Sequence, residues 1–246
     1  MASFLTHTGR YLLTLKAMFR KPENWGMYWR EFMHQCSEIG IGSLPIVVII
    51  SIFLGAVTTV QTAYQLVSPL IPKATIGMIT RDTIMLELSP TVVCIVLAGV
   101  VGSKISSELG NMRVSEQIDA LKIMGISTES YLILPKILAC VLMIPMLITI
   151  SLFLAIIGGR VAATAAGILS MNVFDEGLKQ SFNPFNVTFA LIKAYTFGFI
   201  IGSISSYYGY NVKGGALEIG RASTKSVIVS CIMILIFDYL LAALLL

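Results

Sequence analysis

"LPIVVIISIFLGAVTTVQTAYQLVSPLIP", Leu44 to Pro72, contains no charged residue. A helix crosses the hydrocarbon core of a bilayer with about 20 mainly apolar residues. The run is longer than that, so it predicts a membrane span over roughly 44–67. Four further stretches carry the same signal, at roughly 83–103, 137–159, 186–207 and 226–246. Composition agrees. The 246 residues are 56% hydrophobic and 12% charged, with a mean hydropathy of +0.86; a soluble domain carries about a quarter charged residues. The predicted fold class is an all-α integral membrane protein of about five transmembrane helices.

The net charge of +4 is too small to point to nucleic acid. Cys36, Cys94, Cys140 and Cys231 are far apart and mostly lie in apolar runs. Neither metal-ligand nor redox spacing links them, so they read as small packing residues and no metal site is expected. The opening "MASFLTHTGRYLLTLKAMF" lacks the pattern of a removed signal peptide. The phosphate-cradling G-x-x-x-x-G-K-[ST] loop is absent, so the chain shows no nucleotide site of its own.

Lys and Arg in the flanks orient the spans. Arg10, Lys16, Arg20, Lys21, Arg30, Lys104, Arg113, Lys122, Lys136, Lys213, Arg221 and Lys225 fall on one side; Lys73, Arg81, Arg160 and Lys179 fall on the other. That excess predicts a cytoplasmic N-terminus. Residues 1–43 mix Phe4, Leu12, Leu15, Phe19, Trp25, Tyr28, Trp29 and Phe32 with five cations. Such a region suits an N-terminal helix lying in the cytoplasmic interface, ahead of a single transmembrane domain over 44–246. Between spans three and four, the segment with Asp175, Glu176, Lys179, Phe174, Phe182 and Phe185 predicts an outer interfacial helix.

"SSELGNMRVSEQIDALKIMG", Ser106 to Gly125, is polar yet keeps helical spacing. Met112, Ile118, Leu121 and Met124, with Leu109 and Ser115 near the same stripe, approximate one face. Glu108, Glu116, Asp119 and Lys122 lie mostly away from it, and Gly125 suits a left-handed helix end. This cytoplasmic helix, about 106–125, is either an interfacial connector or a segment that docks on another protein.

Three charges lie inside spans: Glu87, Lys193 and Asp238. A charge at the bilayer centre costs about 2.5–3.5 kcal/mol on insertion scales, so these residues are expected to pair or to face a cavity. A rise of about 1.5 Å per residue puts all three in the outer half. They form either the wall of an outward-opening cavity, with Lys193 neutralising the carboxylates, or an ion pair between packed helices. In the first span Gln61, Thr58, Thr59, Thr62 and Tyr64 alternate with Val57, Val60 and Leu66. That mixture could accept both acyl chains and headgroups, although interhelical hydrogen bonding explains each threonine equally well. Ala194, Gly198, Gly202 and Ser206 form a small-residue stripe for close helix packing, within the subunit or across a dimer.

Several stretches, in order, resemble the MlaE permease family, the membrane subunits of ABC-type lipid transporters that work with MCE proteins. They are "FLGAVTTVQ" (53–61), "ELSPTVVCIVLAG" (87–99), "ELGNMRVSEQIDALKIMG" (108–125), "LIKAYTFGFIIG" (191–202), "GRASTKSVIVS" (220–230) and "FDYLLAALLL" (237–246). Ser89 stands where the family usually has glycine, and Leu86 where arginine is common. The resemblance implies that Glu108, Met112, Arg113, Glu116, Ile118, Asp119, Leu121 and Met124 form a coupling helix gripped by a cytoplasmic ATPase. It implies that Glu87, Gln61, Val57, Val60 and Tyr64 contact phospholipid, with Lys193 and Asp238 completing an intramembrane polar network. It also implies a second copy of the chain, an MCE-domain protein, a small STAS-type regulatory subunit and residence in a Gram-negative inner membrane. No catalytic residue and no cofactor is expected in this chain, since ATP and Mg would be held by the ATPase. From another class, a self-contained secondary transporter would use Glu87 and Asp238 as proton carriers, and would favour inverted repeats. An intramembrane enzyme would use the same two carboxylates as acid and base.

Overall fold

The computed structural model describes residues 2–18, 25–66 and 72–245, with side chains from Gly9 onward. Phe19, Arg20, Lys21, Val67 and Leu246, and the side chains of Phe4 and His7, lie outside the described residues. Among the described residues the structure is helical, without strands. The helices are α1 (Ala2–Ala17), α2 (Trp25–Gln65), α3 (Ala74–Val114), α4 (Gln117–Ile123), α5 (Glu129–Ala165), α6 (Met171–Lys179), α7 (Phe185–Tyr210) and α8 (Ala216–Leu245). Five of them, α2, α3, α5, α7 and α8, are long and apolar enough to cross a membrane.

The expected spans are present, but four of their helices, α2, α3, α5 and α8, run well past them. α2 has 41 residues, about 60 Å at the standard rise and so twice a hydrocarbon core. Residues 25–43, expected in an interfacial region, are its first turns; Gln35 donates to Glu31 one turn earlier at 2.9 Å. Pro45 and Pro145 sit inside α2 and α5 without ending either helix, as helices in apolar surroundings permit when neighbours take up the freed backbone groups.

Two compact units divide the chain. The first comprises Met1–Ser43, Ile95–Met143 and Thr196–Phe237. It contains the ten described cations of those assigned above to the basic side. Here α5 and α7 pack through the small-residue stripe: side chains at Gly198 and Gly202 would press on the backbone at Cys140 and Ile137. The close approach is therefore within the subunit. The second unit comprises Leu44–Cys94, Ile144–Tyr195 and Asp238–Leu246. In it a methyl group at Gly55 would overlap the Ala155 carbonyl, and one at Gly158 the Ile52 carbonyl, so α2 and α5 touch backbone to backbone.

α6 forms where an outer helix was expected. Phe174, fully buried, packs with Ile76, Ala163 and Leu169, and Gly77 meets the Phe174 carbonyl closely. Arg81, 3% exposed, donates to the carbonyls of Leu178 (2.7 Å) and Gln180 (2.9 Å). It thereby satisfies acceptors that the end of α6 leaves open.

Candidate functional site: a buried lysine and an exposed helix face

α3 is not a regular α-helix where it carries Glu87. Ile84–Val92 is a π-helical stretch with Pro90 inside it. Pro90 has no N–H to give to the helix. Lys193 of α7 places its Nζ 2.9 Å from Leu86 O. The same ammonium donates to Glu87 Oε1 at 2.9 Å and pairs with Asp238 Oδ1 of α8 at 2.7 Å. Three oxygens match the three N–H donors of a lysine. The Phe189 ring, centroid 4.7 Å away, covers a further side.

Thr91, one turn after Glu87, closes the network. It donates to Asp238 Oδ1 at 2.9 Å and lies 3.3 Å from Glu87 Oε2. The sequence analysis missed Thr91, although its i+4 spacing from Glu87 was a usable signal. The Lys193 side chain is 0% exposed, that of Asp238 16% and that of Glu87 48%. The three charges that the sequence isolated are thus one cluster, and the two carboxylates differ: Asp238 is enclosed, whereas Glu87 keeps an open side.

Ser89 is not directed at an open surface. Its hydroxyl lies 3.2 Å from Ser151 Oγ, which accepts from Ser51 at 2.8 Å. The serine that departs from the family's glycine therefore joins α2, α3 and α5 through a buried hydroxyl trio. Leu86 is half-buried and contributes its carbonyl to Lys193.

The first span splits into two faces. Phe53 (66% exposed), Val57, Val60, Gln61 and Tyr64 all lie on the open side of α2. Their spacing of four, three, one and three residues is that of one helix face. Thr58, Thr59 and Thr62 are buried on the other side; Thr58 and Thr59 donate to the carbonyls of Leu54 (2.6 Å) and Gly55 (2.9 Å). The mixed wall expected from sequence thus reduces to Val57, Val60, Gln61 and Tyr64, and the threonines belong to packing.

The expected helix over 106–125 is broken. The last turns of α3 end at Val114, Glu116 takes a left-handed conformation (φ 58°), and α4 begins at Gln117. Arg113 reaches across the break to Asp119 at 2.6 Å. Leu109 and Ile118 are both 0% exposed, so Ile118, placed on the docking face by its spacing, is used up inside the chain. Met112, Arg113, Asp119 and Leu121 are half-buried, and Glu108 and Glu116 are exposed. The open apolar residues are Ile123, at 87%, and Met124, at 65%. Gly125 is left-handed as expected (φ 83°). Among the described residues no three of His, Cys, Asp and Glu gather as metal ligands.

The family model described as "Permease MlaE" matches residues 32–244. A probable ABC transporter permease protein of Rickettsia bellii is 34% identical, covering 95% of this chain and 88% of its own. A probable ABC transporter permease protein of Synechocystis is 32% identical over 87% of this chain and 81% of its own. The chloroplastic protein Trigalactosyldiacylglycerol 1 of Arabidopsis thaliana is 31% identical, over 88% of this chain and 62% of its own.

Proposed function

The chain belongs to the MlaE permease family, and from that premise we propose that it moves phospholipids between the inner membrane of a Gram-negative cell and an extracytoplasmic MCE-domain protein. The coarser statement is established by its relatives: it is a permease subunit of an ABC transporter. Membership of that class sets aside the self-contained secondary transporter. ATP and Mg are held by a separate cytoplasmic ATPase, and no covalent chemistry is assigned to this chain.

The observation that carries the lipid reading is the open face of α2. Phe53, Val57 and Val60 offer acyl-chain contacts, and Gln61 and Tyr64 offer polar ends for a headgroup. Glu87 belongs to the same unit and keeps an open, charged side, while Lys193 holds it in place from within. The printed name of the Arabidopsis relative contains that of a glycolipid, which favours a lipid cargo here. Two copies act together, a reading supported by α8, the least buried of the five long helices. The N-terminus is cytoplasmic, which places Ile123 and Met124 where the ATPase docks. A STAS-type subunit belongs to the same proposed assembly.

Gentle purification from the native membrane, with mass spectrometry of the subunits and lipids retained, tests this reading. The expected result is an ATPase, an MCE-domain protein and bound phospholipid. A chain that purifies as a folded dimer without ATPase or phospholipid contradicts it.

A further inference from the structure

Four helices meet at one turn in the first unit. α4 ends in a Schellman turn, with Gly125 N–H bonded to Lys122 O at 3.0 Å and Ile126 N–H to Leu121 O at 3.1 Å. Thr128 follows directly, and Glu129–Ile133, the start of α5, is π-helical. Pro135 stands just beyond it; its missing N–H and bulky ring disfavour regular α-helical bonding to Tyr131 O. Such turns shift register more readily than regular helix and recur at functional sites.

Tyr210, the last residue of α7, bonds into this turn. Its hydroxyl donates to Glu129 Oε1 at 2.9 Å and lies 2.8 Å from Thr128 Oγ1. The proton count closes when Thr128 donates to the phenol oxygen and the phenol donates to the carboxylate. Thr128 is 0% and Tyr210 8% exposed, while Glu129 is half-buried, so the hydroxyl end of the relay is enclosed and the carboxylate end is partly open. Lys122 of α4 places its ammonium 5.4 Å from the centre of the Tyr210 ring. Tyr131 of the turn meets Tyr28 of α2 edge to face, centroids 5.6 Å apart.

We infer that Tyr210 is a positioning residue that transmits displacement of α4 into α5 and α7. The inference rests on α4 being the part gripped by the ATPase. A push on Ile123 and Met124 moves Lys122 and the short connector to Thr128. The phenol is bonded to Thr128 and Glu129 at one end of that stretch, its ring lies beside Lys122 at the other, and its backbone belongs to a different span. Ring packing alone would fill the space, whereas the hydroxyl bonds α7 directly to the turn. Coupling by this route requires a second arrangement in which those bonds are released.

The test uses the purified complex in vesicles of phosphatidylethanolamine and phosphatidylglycerol, measuring phospholipid moved per ATP hydrolysed. Tyr210→Phe keeps the ring and the Lys122 contact. It should lower that ratio about tenfold while ATPase capture, hydrolysis rate and melting temperature stay near wild type. Glu129→Gln should lower the ratio in the same direction. Wild-type coupling in Tyr210→Phe overturns the inference and leaves the permease reading intact. Loss of ATPase capture or of thermal stability in step with transport makes the role structural and overturns it too. A wild-type complex that moves no lipid with ATP overturns the permease reading, and the inference with it.

Discussion

Two of the described lysines are buried, and they are held differently. Lys193 has three oxygen partners on two other helices and an aromatic ring beside it. Lys136, 1% exposed, pairs at 2.7 Å with Glu108, whose side chain is 42% exposed. A buried ammonium costs several kcal/mol unless its donors are met. Lys193 meets that cost locally, by joining the Leu86 carbonyl to two carboxylates. Lys136 leans on a carboxylate that water also reaches, and an exposed ion pair contributes little. The first arrangement fixes helices α3, α7 and α8 to one another. The second leaves α3 and α5 joined by a contact that hydration of Glu108 can loosen, next to the segment assigned to the ATPase.

The largest expected effect comes from Lys193→Met. It leaves Glu87 and Asp238 close together without a cation, and should destabilise the protein by about 3–5 kcal/mol, read as lost folded yield or a lower melting temperature in detergent. Lys136→Met should cost less, about 1–2 kcal/mol, because Glu108 can turn to water. Equal losses in the two variants would break the comparison. The smallest effect is expected from Pro90→Ala. An N–H at position 90 adds a donor inside the π-helical stretch, yet Lys193 keeps both carboxylates, so stability should change by no more than about 1 kcal/mol. A loss as large as that of Lys193→Met would mean that the backbone shape around Pro90, and not the carboxylates, holds the ammonium.

The spans were legible because length without charge is a strong signal, and Glu87, Lys193 and Asp238 stood out because charges in apolar helices are costly. Their partition was not legible. Nothing in sequence tells that Asp238 is enclosed while Glu87 keeps an open side, since that depends on how α3, α7 and α8 pack. The face of α2 was half legible: valines and threonines alternate, and only the close contacts at Gly55, Gly158 and Gly159 decide which of them turn inward. The break before α4 left no trace, for neither glycine nor proline occupies Ser115 or Glu116. It accompanies burial of Ile118, which is tertiary, and the Arg113–Asp119 pair bridges it locally. Thr91 and the Leu86 carbonyl escaped notice because one is a common residue and the other is backbone.

The central claim is that the end of α4 is the handle by which a separate ATPase drives this permease. Photo-crosslinking from position 123 in the native complex tests it directly, with position 118 as the buried control and position 171 on α6 as the control from the proposed opposite side. Strong capture of the ATPase from 123, with none from 118 or 171, is the predicted result. Capture from 171 and not from 123 would contradict the account.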